Sequence, residues 1–214
     1  MDEDISAINT STRNQKIKNF FINNKKKLIL AFLLIVLILI SYFSYQIYRD
    51  GQREELANKY NSLVIEFKNG DKTKVITSLK EIIEDKDSTY SPLALYFLID
   101  NNITIPKEEM VYLFDRVIVY TALPKEIRNL ILFKKAIYFS ESESENSLLS
   151  ILKPVINSDS IWKSHALYFL GEYFLSKNEK QKAKDFFEKI LITDKANPNI
   201  KLEAKKRIER DLSE

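Results

Sequence analysis

One uninterrupted apolar stretch, residues 28–43, restricts what this chain can fold into more than any other part of the sequence. It contains no charged side chain and consists almost entirely of large aliphatic residues. With Tyr45, Ile47 and Tyr48 it reaches the roughly 17 to 25 residues that a helix needs to cross the hydrocarbon core of a bilayer. We therefore predict that residues 28–48 form a single transmembrane helix.

Two other structures fit an apolar stretch near an N-terminus, and the residues disfavour both. A cleaved signal peptide needs small residues at two positions just before the cut. Cutting after Ser44 or Ser41 places Tyr42 or Leu39 at the outer of those positions. A core helix of a soluble protein shows polar residues at a helical period, and this stretch shows none. The sequence therefore favours an uncleaved membrane anchor.

Residues 1–27 carry few apolar side chains, which predicts a mostly disordered tail that becomes basic towards its end. The three lysines at 25–27 adjoin the anchor directly and favour a cytoplasmic N-terminus. Arg49 and Arg53 on the other flank weaken this bias. The sequence thus predicts a single-pass protein whose large C-terminal part, residues 54–214, lies on the far side of the membrane.

The composition excludes several classes of function. There is no cysteine, which excludes disulfides and thiolate metal sites. The net charge of +3 comes from interspersed lysines and acids rather than a basic block, so no nucleic-acid partner is expected. No nucleophile–base pair, metal cluster or phosphate-binding glycine loop is present, so neither enzyme activity, a cofactor nor a small-molecule substrate is expected. Three glycines and five prolines leave little material for tight turns, which predicts an all-α fold.

From residue 54 onwards apolar side chains recur at helical spacing, and the breaks between them coincide with helix start signals. Ser91 precedes Pro92 and Asn197 precedes Pro198, so each is predicted to cap a helix. Pro154 is predicted to end or kink its helix. The predicted helices are 54–68, 72–85, 91–101, 107–121, 124–140, 145–157, 160–176, 179–193 and 198–212.

These helices form repeating pairs. In the best pair, small residues at Gly171 and Ala183 stand where two helices cross closely, and aromatic residues at Phe174 and Phe187 follow them, as in a tetratricopeptide repeat. Apolar residues recur at spacings of 35, 38 and 34 towards the N-terminus, interrupted by Lys80 and Asn101. About four helix pairs and a capping helix at 198–212 are therefore predicted to stack into a TPR-like α-solenoid.

In such a stack the first helix of each pair lines a concave face, which we predict to bind a partner. Its middle is apolar and aromatic, as expected of a protein-binding groove. The alternative is that the C-terminal helix or a tight superhelix buries these side chains. The predicted binding residues are Leu95, Ile99, Leu130, Phe133, Ile137, His165, Tyr168 and Glu172, with Asn61 and Ile65 at the same positions of the first pair. His165, the only histidine, is more simply structural than catalytic.

The short tail, the uncleaved anchor, the Ser91-Pro92 helix start and the last repeat (WKSHALYFLGEYFLSKNEKQKAKDFFEKIL, residues 162–191) together resemble the YfgM-like tetratricopeptide family. Its members are ancillary subunits of the bacterial SecYEG translocon. This chain has less alanine and glycine and more lysine and asparagine than is usual in that family. The resemblance implies a bacterial inner-membrane protein whose periplasmic domain binds the translocon and a membrane-anchored periplasmic chaperone, and helps hand over emerging secreted chains.

Two other classes of function stay open at this point. The first is a scaffold that organises envelope assembly or cell division without touching secreted chains. The second is a membrane-anchored hydrolase, for which the sequence offers no candidate residue. Quantitative proteomics of a deletion strain separates the translocon hypothesis from the scaffold. A defect confined to secreted clients would favour the translocon hypothesis.

Overall fold

The computed structural model describes the backbone of residues 2–212 and the side chains of residues 15, 16 and 18–212. Within that part of the chain there are nine α-helices and no strand, which confirms the all-α prediction. The chain divides into two compact units, Met1–Glu55 and Leu56–Glu214, and the division falls inside the first helix. The helices are α1 (Asp2–Asn69), α2 (Lys72–Glu84), α3 (Tyr90–Asp100), α4 (Lys107–Tyr120), α5 (Lys125–Tyr138), α6 (Glu145–Ile156), α7 (Lys163–Ser176), α8 (Lys180–Leu191) and α9 (Pro198–Asp211).

The first unit consists of the N-terminal part of α1, which includes the apolar stretch. By length and composition this helix is able to cross a membrane, and none of its most apolar window is buried against protein. A core helix would be buried, so the structure argues against that alternative. Residues 2–27 are helical in the structure, whereas their composition predicts disorder. No glycine or proline interrupts them, and none of the side chains described there, those of residues 15, 16 and 18–27, is buried against protein.

The second unit is a stack of helix pairs. The last turns of α1 contact α2 through the apolar cluster that contains Leu63 and through the ion pair between Lys59 and Glu81. The pairs α3–α4, α5–α6 and α7–α8 follow, with α9 packed against α8 and α7. Two apolar clusters form the core. The first contains side chains from α1 to α5, and the second contains side chains from α5 to α9. Since each helix from α2 to α9 packs on its neighbours in sequence, the arrangement confirms the predicted TPR-like fold.

The burial pattern corrects the repeat register in the first pair. Leu63 and Val75 are buried, whereas Val64 and Ile76, which a spacing of 34 selects, are only partly buried. A spacing of 35 removes the interruption at Lys80, because the equivalent residue is then Leu79, which is fully buried. Twelve residues separate the two crossing positions in every pair. The buried set is Leu63, Val75, Leu79 and Ile82 in the first pair, Leu98, Met110, Phe114 and Val117 in the second, Ala136, Leu148, Leu152 and Val155 in the third, and Gly171, Ala183, Phe187 and Ile190 in the fourth.

Of the two predicted helix caps, one is confirmed and one is wrong. The Asn197 side chain accepts hydrogen bonds from the backbone N–H groups of Asn199 and Ile200, as predicted. Ser91 instead lies inside α3, where it is buried and its hydroxyl donates to the carbonyl of Ile82 at 2.8 Å. The hydroxyl therefore joins α3 to the end of α2, a contact between helices that the local sequence does not reveal.

Helices α7 and α8 approach each other closely at Gly171. A Cβ atom added there would lie 2.5 Å from a carbon of the Phe187 ring. Phe187 is fully buried, so its ring has no free space to move into. Glycine at this position thus lets α7 approach α8, which confirms the role predicted for it from the repeat pattern.

We expect Gly171→Ala to destabilise the domain by about 1–3 kcal/mol, the usual cost of overpacking a core. The free energy of unfolding is measured by urea titration of the detergent-solubilised chain, followed by the fluorescence of Trp162, the only tryptophan. Gly51→Ala is the matched control, because nothing lies within 4 Å of a Cβ there. Phe187→Leu in the Gly171→Ala background should recover part of the loss. If the two substitutions are simply additive, the clash is not the cause.

Candidate functional site

The structure places the predicted binding residues of the second pair in or against the core. Leu95 is fully buried in the first apolar cluster, so its side chain does not reach a partner, and including it in the binding face was wrong. Ile99 is partly buried and packs against the same cluster. In the first pair, the corrected register replaces Asn61 and Ile65 with Tyr60 and Val64 at the equivalent positions. Ile65 is nevertheless 68% exposed.

The predicted residues of the third pair lie near a cluster of aromatic rings between α5 and α7. The Phe133 ring centre lies 6.3 Å from that of Trp162, 6.3 Å from that of His165 and 6.1 Å from that of Phe169. Leu130 and Phe133 are half-buried, whereas Ile137, one turn beyond Phe133, is 44% exposed. Among the predicted residues of the last three pairs, Ile137 therefore offers the most accessible apolar surface.

Helix α9 engages the predicted residues of the last pair. Arg207 donates to Glu172 through a 2.6 Å bond between Nη2 and Oε2, and it also hydrogen-bonds Tyr168. The hydrogen bonds that Arg207 donates to Tyr168 and then to Asp211 raise the pKa of its guanidinium. Tyr168 packs on Phe187, and Nδ1 of His165 is buried without a hydrogen-bond partner in the described residues. At this end of the face the C-terminal helix packs against the predicted residues, which is the alternative to an open binding groove.

The ion pairs of α9 predict a pH dependence. The neighbouring guanidinium groups, Arg210 first and then Arg207, hold the pKa of the Asp211 carboxylate below its ordinary value. A carboxylate with a lowered folded pKa stabilises the fold above its unfolded pKa of about 3.9, and that stability disappears as the pH falls through the folded value. We expect Asp211→Asn to lower the melting temperature slightly at neutral pH and to have no effect in strong acid. A difference that does not shrink on acidification would contradict this assignment.

An open cleft lies between the connection that follows α3 and the last turns of α5, and we refer to it as the α3–α5 cleft. Its volume is about 520 Å³. Two of the predicted binding residues, Ile99 and Ile137, line it together. The remaining lining residues, which sequence reasoning missed, are Asp100, Asn102, Ile103, Thr104, Ile105, Lys134 and Tyr138.

One ion pair supplies the charged groups of the cleft, beside the polar side chains of Asn102 and Thr104. Lys134 Nζ lies 3.1 Å from Asp100 Oδ1 and 4.8 Å from the centre of the Tyr96 ring. The Tyr96 hydroxyl is buried with no hydrogen-bond partner in the described residues, and burial, followed by the charge of Asp100, raises the pKa of Tyr96. The cleft thus combines apolar walls with one paired cation and anion. It suits an apolar side chain carried on a polar backbone.

The chemistry of an enzyme is not evident in this site. No group of three or more His, Asp or Glu side chains positioned to hold a metal ion was found among the described residues. An all-helical TPR-like fold is typical of non-enzymatic interaction proteins. A signal for the cleft was present in the sequence, because Ile103 and Ile105 are apolar residues in a connection, where polar residues are usual.

Comparison with known families supports the repeat architecture. Residues 18–103 match the family described as tetratricopeptide repeat-like domain. The matched region contains the whole apolar stretch, the first helix pair and α3, so it covers less than half of the chain. No curated protein and no solved structure matches the chain. A TPR-like domain suggests a role in protein–protein interaction, and the strongest repeat by sequence, α7–α8, lies outside the matched residues.

Proposed function

We propose that the chain is a membrane-anchored interaction protein, ancillary to the SecYEG translocon of a bacterial inner membrane. The observation that carries this proposal is the combination in one chain of an unburied apolar helix with a stack of TPR-like helix pairs. The N-terminus would be cytoplasmic and the helical domain periplasmic, in line with the lysines at 25–27. The resemblance to the YfgM-like family supplies the translocon and a membrane-anchored periplasmic chaperone as partners.

The α3–α5 cleft is the surface that we assign to partner binding. It brings together two of the predicted residues, and Ile137 has enough exposed apolar surface to contact a partner. The face of the last pair is a poorer candidate, because Arg207 already bonds Glu172 and Tyr168. An emerging secreted chain presents the kind of ligand that the cleft suits, since such a chain carries apolar side chains on an unpaired polar backbone.

A pull-down in mild detergent tests this proposal. The full-length protein is compared with a variant in which residues 28–43 are replaced by an unrelated membrane span. Recovery of translocon subunits with the full-length protein would support the secretion role, and their loss with the replaced span would assign recognition to the anchor itself. If neither protein retrieves translocon subunits, the translocon proposal is wrong and the envelope scaffold becomes the better hypothesis.

A further inference from the structure

The connections that follow α4, α6 and α8 meet along one edge of the helical domain. Ser160, in the connection after α6, donates through its hydroxyl to Glu126 in the first turn of α5, at 2.6 Å. The backbone N–H of Asn197, in the connection after α8, donates to the hydroxyl of Ser164 in the first turn of α7, at 3.2 Å. These bonds hold the three connections side by side. We refer to this surface as the connection edge.

Large apolar side chains are exposed along the connection edge. Ile192, which caps the C-terminal end of α8, is 81% exposed, the largest value for any large apolar side chain in the described residues. Ile161, in the connection after α6, is 64% exposed. The other exposed apolar residues at the ends that form this edge are Val119, Tyr120 and Ile127.

The opposite edge of the same domain has a different character. Its connections are residues 70–71, 101–106, 139–144 and 177–179, and within the described chain none of them carries an exposed large apolar side chain. The connection at residues 140–144 consists only of serine and glutamate. Within the connections themselves, exposed large apolar side chains therefore occur on one edge, whereas at the helix ends the opposite edge also exposes Ile137 and Tyr138.

Basic side chains flank the exposed isoleucine of α8. Lys163 and Lys189 line a cleft of about 420 Å³ together with Ile192, and Asp194 is the one carboxylate in that lining. An apolar side chain between ammonium groups suits the boundary of a bilayer, where the apolar group enters the acyl region and the cations meet anionic headgroups.

The chain enters the helical domain at the same edge. Tyr60, in the first turns of α1 that belong to this unit, has its ring 5.9 Å from that of Tyr90, the first residue of α3. Tyr48, at the end of the apolar stretch, and Leu56, where the unit begins, are separated by a segment that even fully extended reaches at most about 29 Å. The entry point of the domain is thus tethered close to whatever surface the apolar helix inserts into.

We propose that the connection edge docks on the lipid surface of the membrane in which α1 is anchored, with Ile161 and Ile192 entering the interface. The tether, the highly exposed isoleucines in the connections of this edge and the lysines that flank Ile192 favour a bilayer over a protein partner. This inference rests on the proposed membrane anchoring. It leaves the α3–α5 cleft, which is lined by a connection of the opposite edge, open to a partner.

Because the chain has no cysteine, single cysteines allow site-directed spin labelling of the full-length protein. Ile161→Cys and Ile192→Cys report on the connection edge, Ser142→Cys on the opposite edge, and Leu37→Cys on the apolar helix. The labelled proteins are reconstituted at low density into vesicles of equal parts phosphatidylethanolamine and phosphatidylglycerol. Collision with oxygen and with a water-soluble nickel chelate is then measured for each label.

We expect the labels at 161 and 192 to be several-fold less accessible to the nickel chelate in vesicles than in detergent, and the label at 142 to be unchanged. Equal nickel accessibility at all three positions, with position 37 shielded, would overturn the docking of the edge while leaving the anchor intact. Nickel accessibility at position 37 would overturn the anchoring itself. Shielding of 161 and 192 that disappears on dilution with lipid would show contact with a second copy instead, and would also overturn the proposal.

Discussion

Leu79→Ala should lower the free energy of unfolding by about 2–5 kcal/mol, whereas Lys80→Ala should lower it by no more than about 1 kcal/mol. Leu79 is fully buried in the first apolar cluster, so the substitution removes buried methyl groups and leaves a cavity. Lys80 forms a 2.6 Å ion pair with Glu109, but the Lys80 side chain is 28% exposed and water screens the pair. The difference between these neighbours follows directly from the spacing of 35 residues in the first helix pair.

Urea titration of the detergent-solubilised chain, followed by far-UV circular dichroism, measures both effects. Leu152→Ala, at the equivalent position of the third pair, is the positive control, because Leu152 is also fully buried. Equal losses for Leu79→Ala and Lys80→Ala would mean that the register of the first pair differs from the one described here. A loss for Leu152→Ala alone would mean that the first pair contributes little to the stability of the domain.

The register shows which parts of the fold could be predicted from sequence. The fourth pair was predicted correctly, because its crossing is marked in the sequence by the small residues Gly171 and Ala183, and the Phe187 ring packs directly on Gly171. The first pair has no glycine at its crossing position, and Leu63 and Val64 are both apolar, so a shift of one residue leaves the hydrophobic pattern almost unchanged. Burial separates these neighbours, and burial depends on contacts between helices.

The helix ends show the same division between local and non-local causes. The predicted α9, 198–212, differs from the observed Pro198–Asp211 by one residue, because Asn197 caps it with its own side chain. The predicted start of α7 at 160 is three residues early. There the Glu126 carboxylate accepts hydrogen bonds from Ser160 and from the backbone of Ile161, and these bonds hold the preceding segment in a turn. A carboxylate from α5 is not visible in a local sequence window.

The candidate site was predicted only in part for a related reason. Counting along the repeat selects one stripe of each helix, and it therefore found Ile99 and Ile137. It also selected Leu95, which the neighbouring helices bury, and it missed Lys134 because Asp100, its partner, lies on α3. Residues that line a cleft between repeats belong to no single helical stripe, so periodicity alone does not reveal them.

Ile137→Lys should weaken partner binding by about thirtyfold, or about 2 kcal/mol, if the α3–α5 cleft holds an apolar side chain of the partner. Ile137 lies in the last turn of α5, where a cation is compatible with the helix dipole, so the helix should tolerate the change. A second ammonium group beside Lys134 leaves a charge without a partner in the cleft and removes its most exposed apolar wall. Binding is measured by titrating immobilised full-length protein with the partner recovered in the pull-down.

Ile65→Lys is the matched control, because Ile65 is more exposed than Ile137, lies near the C-terminal end of α1 and does not line the cleft. Asp substitutions of Phe133 and Tyr168 would be less informative. Phe133 contacts three neighbouring rings and Tyr168 hydrogen-bonds Arg207, so a loss of binding there would not be separable from damage to the fold. If Ile137→Lys keeps its melting temperature and binds the partner as tightly as Ile65→Lys does, the partner does not bind in the α3–α5 cleft.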